Sequence, residues 1–232
     1  MAETVSKNDF IELVFTGKAN GEIFDTTKKQ EAKEMGLQAD VKPVIASVGN
    51  EMVLKGLDEQ LAEKEVGKIY TIKLTPEKAF GKRDPTMIRT MPLRVFHEKQ
   101  INPVAGMSFQ MDQYVVKILS VNGGRVMTDF NNPMAGKDVE YEIQIKRKIT
   151  DDKEKVNALQ DHFFRQRFEF EVKDKKVIFK DSKIKPIITM LNDKLKAISG
   201  LDFEVKEEKQ EEKRPQTDKK DAKKDEKDLK VD

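Results

Sequence analysis

Cysteine and tryptophan are both missing from the 232 residues of this chain, and histidine occurs only twice. Without cysteine there is no disulfide framework, no thiol nucleophile and no thiolate metal site. His97 and His162 lie far apart with no ligand-spaced partner, so each reads as a surface or partly packed histidine, and no metal is expected. An excess of charge of one sign is lacking too. The 44 basic and 42 acidic side chains leave a net charge of +2, too weak a field to draw nucleic acid or a membrane surface. No run approaches the roughly 18 apolar residues of a membrane span. The opening "MAETVSKNDF" carries no apolar signal core, so a cytoplasmic location is expected. Neither a P-loop, nor a dinucleotide-binding glycine fingerprint, nor a serine elbow is present. Large apolar residues are scarce: the chain is 37% hydrophobic and 37% charged, with a mean hydropathy of −0.67. That is polar for one compact globule and points to a tail or to thin appended domains.

What is present reads as a series of short strands broken by a few helices. "DFIELVFTGKANGEIFDT" is a pair of strands joined at Asn20-Gly21, a dipeptide suited to a hairpin turn with positive φ. "TTKKQEAKEMG" is helix-prone and stops at Gly36, and "KPVIASVG" is a short apolar run. From Glu51 to Glu65, Val53, Leu54, Leu57 and Leu61 recur on one helical face. "KIYTIKL" alternates as a strand should. After "EKAFGKRDP" the texture becomes Met-rich, with a hairpin around Asn122-Gly123-Gly124. "KDVEYEIQIKRKI" is then a long strand with Val139, Tyr141, Ile143 and Ile145 on one face. Long alternating strands complete sheets begun earlier, so residues 86–131 are expected to interrupt one domain. A further unit begins at the helix-start pair Asp151-Asp152. It continues through a hairpin tipped by Asp174-Lys175 to an amphipathic helix with Pro186 in its first turn and Gly200 as C-cap, and then the strand-like "LDFEVKE". Beyond Glu207 acids and lysines alternate densely, which predicts a disordered, self-neutralising tail.

Chemistry has few carriers here. Phe15, Phe24, Phe80 and Tyr141 are aromatics spread over the strands, and Val53-Leu54 opens the strongest helical segment. An ordinary sheet-on-helix core would need such residues, and so would an apolar binding pocket. Asp25, directly after Ile23-Phe24, has three readings: a helix cap, a loop anchor or a pocket carboxylate. Thr27-x-x-Gln30 forms a capping box that already supplies a cap and weakens the first.

The order "FTG", "GEIFDTT", "VGNEMVLKGLDEQL", "VGKIYTIKLTPEKAFG", "NPMAGKDVEYEIQI" resembles an FKBP-type peptidyl-prolyl cis–trans isomerase over residues 5–85 and 132–150. The segment between "AFG" and "NPMAG" resembles the insert-in-flap domain of SlyD-like members, and the C-terminal part resembles the long archaeal members. The resemblance implies an α+β fold: an FKBP-like antiparallel sheet wrapped on a short helix, an inserted small β-rich domain, and a C-terminal α+β domain. The implied units are 1–85 with 132–150, 86–131, 151–206 and the tail 207–232. Carried over by position, Phe24, Asp25, Phe80 and Tyr141 would act in catalysis. Phe15, Val53, Leu54, Leu57, Met134 and Ala135 would line the substrate site, with Leu57 as floor. Phe15 and Phe80 stand where familiar members have tyrosine, and Leu57 where they have tryptophan, as in SlyD-like proteins.

Ile88, Val95, Phe96, Phe109, Met111 and Phe130, with Met107, Val126 and Met127, are many apolar residues for so small an insert. Some must fill its own core and a few should remain exposed, where flexible Met-rich surfaces adapt to varied partners. The expected function is therefore isomerisation of X-Pro bonds in unfolded or partly folded clients, with the insert capturing chain and no cofactor. A non-catalytic holdase with a vestigial pocket is the alternative. The small C-terminal unit buries little surface alone, which favours a homodimer through it. No specific nucleic-acid or membrane partner is expected.

Overall fold

The computed structural model describes residues 3–37, 41–111 and 114–206. The tail expected to be disordered, 207–232, lies outside the described residues. Strand β1 (Phe10–Ala19) turns through Asn20-Gly21, both at positive φ (52° and 83°), into β2 (Glu22–Thr26). Both turn residues adopt the left-handed geometry that a two-residue hairpin demands. Helix α1 (Lys29–Glu34) follows, then β3 (Val44–Ser47), the one-turn helix α2 (Lys55–Asp58) and β4 (Ile69–Leu74). The chain then leaves this sheet. β5 (Ile88–Pro92), helix α3 (Leu93–Glu98), β6 (Ser108–Met111), β7 (Tyr114–Asn122) and β8 (Arg125–Asp129) build a separate four-stranded sheet of order β5-β8-β7-β6. It returns as β9 (Val139–Ile149), which lies antiparallel between β1 and β4. Val139, Tyr141, Ile143 and Ile145 of β9 are all buried, as their alternation requires.

The two chain segments that join the insert to the main sheet are tied to each other. Arg83 pairs with Asp129, and the Asn131 amide donates to the carbonyl of Asp84 (3.0 Å) and to the Asp129 carboxylate (2.7 Å). The Asp84 N–H donates to Asn131 Oδ1 (2.8 Å), and the Gly136 N–H to the carbonyl of Gly81 (2.9 Å).

After β9, Asp151 accepts the Glu154 N–H (2.9 Å) and caps α4 (Asp152–Leu159), which runs into a π-turn over Gln160–Phe164. β10 (Phe170–Lys173) and β11 (Lys176–Phe179) form the hairpin tipped by Asp174 and Lys175, both left-handed. Helix α5 (Lys185–Ser199) carries the chain over to β12 (Asp202–Val205), parallel to β11. Gly200, at φ 70°, caps α5.

Two expectations fail locally. Residues 51–65 are not one helix, because helical structure is confined to Lys55–Asp58. Glu51 and Glu63 take positive φ (57° and 67°), and the buried Asp58 carboxylate accepts the N–H groups of Gly49 (2.8 Å) and Glu51 (2.7 Å). A side chain that binds backbone donors in a loop competes with helix there. The capping box also fails. Lys28 stands at the N-cap of α1 with no side-chain bond, while Thr27 Oγ1 accepts the Phe15 N–H at 2.8 Å. A cross-strand partner has taken the hydroxyl from the helix.

The core has three clusters. One, inside the main sheet, joins Ile11, Leu13, Leu57, Leu61, Ile72, Tyr141 and Ile143. A small one in the insert centres on Phe96, Ile118 and Val126. The third belongs to both ends of the chain: Val156, Leu159, Phe179, Ile184, Ile188, Leu195 and Ile198 pack with Phe10, Ala46, Met52 and Ile149. The C-terminal unit therefore buries apolar faces against the first sheet, while Met190 of α5 stays exposed.

Candidate functional site

Four aromatic rings from four separate places in the chain meet edge to face. Phe15 on β1 lies 5.7 Å from Tyr141 on β9, and Tyr141 lies 5.8 Å from Phe24 on β2. Phe24 lies in turn 5.6 Å from Phe80, which follows the turn after β4. Each such pair contributes about 0.5–1.5 kcal/mol beyond the area it buries. Phe24, Val53, Leu54, Phe80 and Met134 are half-buried and pack against the cluster that holds Leu57, Phe15 and Tyr141, which are buried. The result is an apolar, aromatic-walled surface still open to solvent on one side.

Strand register explains the convergence. Gly17 pairs with Asp25 on β2 and with Tyr141 on β9, so the three sit in a row across adjacent strands. The β1–β2 register shifts directly after Gly17, leaving Phe24 without a partner, as a β-bulge does. A Cβ at Gly17 would lie 2.8 Å from Tyr141 Cε1 and 3.0 Å from Phe24 Cζ. The missing side chain is thus what admits both rings. A second glycine acts the same way at the edge. A Cβ on Gly56 would come within 2.5 Å of the Lys78 carbonyl, so α2 packs close under the turn that carries Phe80.

The Asp25 carboxyl accepts the N–H of its chain neighbour Thr26, a bond too local to hold the loop together. The neighbouring threonines do that work. Thr26 Oγ1 donates to Glu31 (2.7 Å) and accepts the Lys28 N–H (3.0 Å), and Thr16 also donates to Glu31 (2.5 Å). Asp25 is an exposed residue, yet its carboxyl is crowded enough that lost hydration pushes its pKa above the usual carboxylate value, with the Thr26 N–H pulling it partly back. Because water reaches the residue, solvent screening keeps the energetic weight of that shift small. Burial first, and the Asp25 charge second, push the Tyr141 phenol upward, so it stays protonated.

The segment bearing Val53 and Leu54 is held by Asp58, through its bonds to Gly49 and Glu51, and by Met52, whose Sδ accepts the Ser47 N–H at 3.3 Å. Sequence reasoning missed Asp58 and Gly17. A lone glycine inside an alternating strand is a signal for a bulge or close approach, and "FTG" carries it.

Ala135 and Phe130 stand apart from the aromatic cluster. They line a groove of about 370 Å³ that runs from Phe80 to Met87, Tyr114 and Val115 of the insert. Phe130 stacks edge-on with Tyr114 (6.1 Å) under the Arg89 guanidinium (5.6 Å). Of the other insert residues singled out, Ile88 and Met111 are half-buried. Phe96 is corrected: at 1% exposure it is the insert's core, edge-on to Phe109 at 5.9 Å, because α3 needs an anchor on a sheet this small. Val95 and Phe109 pack against that core, and Val126 belongs to it. The exposed apolar residues are Met107 and Met127, both singled out from the sequence, together with Val104, Tyr114, Val115 and Val121, which were not. Val115 and Met127 lie on the sheet face opposite α3, by the alternation of β7 and β8.

His97 is exposed on α3, and His162 is half-buried edge-on to Phe163, its pKa lowered by burial and by Arg165 and Lys194. Among the described residues no group of three His, Asp or Glu side chains could hold a metal, and no helix is long and apolar enough to cross a membrane.

Comparison with known proteins agrees with this geometry. Residues 1–109 match the model for FKBP-type peptidyl-prolyl cis-trans isomerases, and residues 89–134 match that of the FKBP26 IF domain. A short-type peptidyl-prolyl cis-trans isomerase of Methanocaldococcus jannaschii is 28% identical over 149 residues, 63% of this chain and 95% of the relative. An FKBP-type 16 kDa isomerase of Escherichia coli is 27% identical, covering 62% of this chain and 94% of its own. SlyD of Aeromonas hydrophila is 26% identical over 55% of this chain and 56% of its own. With an IF-type insert leaving and rejoining its sheet and relatives of the short and SlyD types, the chain is similar over residues 1–109 to FKBP-type peptidyl-prolyl cis–trans isomerases.

Proposed function

We propose that the aromatic cluster is the site where this isomerase turns X-Pro bonds, and that the insert captures unfolded or proline-containing client chains for it. The observation that carries the reading is the convergence of Phe15, Phe24, Phe80 and Tyr141 around Val53, Leu54 and Leu57. Rotation must pass a barrier of about 18–20 kcal/mol set by amide resonance. Uncatalysed, it takes on the order of 10–100 s. A planar amide has a larger dipole than a twisted one, so an apolar wall disfavours the ground state relative to the transition state. Each ~1.4 kcal/mol of that difference is worth about tenfold in rate. No proton moves and no cofactor is called for. Asp25, free of loop-holding duties, would orient the prolyl-side carbonyl or its water, with Met134 and Ala135 at the flap.

Capture rests on Val104, Tyr114, Val115 and Met127, exposed apolar side chains with a groove leading to Phe80. Local tethering raises the effective concentration of prolines at the site. On this reading the setting is the cytoplasm, which suits a cysteine-free chain. The test pairs a proline-limited refolding assay with suppression of aggregation. Phe24→Ala should slow catalysed refolding while leaving aggregation suppression, and Tyr114→Ser with Val115→Ser should do the reverse on short peptides. Wild type that suppresses aggregation without shortening the slow phase would establish the holdase alternative instead.

A further inference from the structure

Val53 touches two cores at once: it packs against the cluster under the aromatic site and against the cluster that the C-terminal unit shares with the first sheet. Its neighbour Met52 is buried in the second cluster with Val156 and Leu159 of α4. Helix α4 lies directly on β3. β3 and Met52 are joined by the Ser47 N–H to Sδ bond, while Asp58 ties the loop from the other side. The attachment of α4 is itself braced. Arg147 on β9 donates to Glu12 of β1 (2.7 Å) and to Glu154 of α4 (2.8 Å), immediately before the Asp151 cap.

We propose that the C-terminal unit is a positioning element for the isomerase site: α4, acting through Met52, sets how far Val53 stands into the substrate wall. Packed interiors transmit displacement because they lack free volume. Leu159 and Met52 share one buried cluster, so a change in volume at Leu159 is passed through that cluster to Met52, and with it to a residue that faces the reacting amide. This inference rests on reading Val53 as part of the substrate wall. Under it, residues 151–206 belong to the catalytic unit and are more than an appendage joined by a linker.

The test uses the full chain and a short proline peptide, so that capture by the insert plays no part. Leu159→Ala is compared with Phe203→Leu, a change on β12 in the same unit, at a temperature where circular dichroism finds every variant folded. Leu159→Val stands in should the alanine variant fail to fold. Leu159→Ala should lower kcat/KM about threefold or more and shift the Val53 methyl resonances, while Phe203→Leu leaves both unchanged. Full activity with unshifted Val53 in the Leu159 variants would overturn the proposal, as would equal effects from Phe203→Leu. Val53→Ala separates the two levels. If it retains full activity, the substrate-wall reading fails and the positioning role with it. If it is slowed while the Leu159 variants are not, only the positioning role fails.

Discussion

Replacing Gly17 by alanine probes the site at its tightest point. The backbone at Gly17 is not in the left-handed region, so alanine is conformationally admissible there. On that ground alone the change should stabilise by about 0.4–1 kcal/mol, through the reduced entropy of the unfolded chain. Against it stands the new methyl, 2.8 Å from Tyr141 Cε1 and 3.0 Å from Phe24 Cζ, where contacts of about 3.5–4.0 Å are normal. Tyr141 is 2% exposed and wedged edge-on against Phe15, so its ring has no room to retreat. Half-buried Phe24 must swing outward instead, and overpacking of this kind costs about 1–3 kcal/mol. The balance is a net loss of roughly 1–2 kcal/mol in urea unfolding. Moving Phe24 away from Tyr141 and Phe80 also opens the wall. The kcat/KM for a short proline peptide should fall about tenfold, which corresponds to ~1.4 kcal/mol of lost transition-state binding. A Gly17→Ala protein that is more stable than wild type and fully active would refute the claim that this glycine exists to admit the two rings.

Asp58→Ala should cost about 2 kcal/mol in urea unfolding, since it removes charge-assisted bonds to Gly49 and Glu51, and Asp58→Asn should cost about half as much; unchanged stability would show that water replaces the carboxylate. Asp25→Asn separates rate from fold. The carboxyl pKa is raised in the folded state, so the folded chain holds that proton more tightly than the unfolded chain. Stability from this group is therefore lost as pH rises through the carboxylate range above 3.8, and the loss persists at neutral pH. Asp25→Asn should match wild type in acid and equal or exceed its stability at pH 7 while losing activity. A variant less stable at pH 7 than at pH 3, relative to wild type, would make Asp25 a loop anchor. Phe96→Ala should cost about 3–5 kcal/mol locally and melt the insert in hydrogen exchange, with short-peptide isomerisation retained; an insert that stays folded but no longer binds clients would return Phe96 to the surface role.

Much of this molecule was legible before any coordinates. Period-two alternation marked β4 and β9, positive-φ dipeptides marked the turn joining β1 to β2 at Asn20-Gly21 and the turn at Gly123-Gly124, and Pro186 with Gly200 bounded α5. These signals are local, because pleat, turn and cap are decided within a few residues. Order along the chain also sufficed to bring Phe15, Phe24, Phe80 and Tyr141 under suspicion, through the family pattern they share. Where partners come from far away, the sequence was silent or misleading. Thr27 abandoned its helix for Phe15, twelve residues earlier, and Asp58 broke the helix its own neighbours favour. Phe96 and Val115 are both apolar insert residues, yet one is core and the other open surface, because only the closed sheet and α3 determine which face is covered. The joining of the C-terminal unit to the back of Val53 has no local signature at all. It depends on which apolar faces come together once every strand has found its register, a choice made by burial across the whole chain.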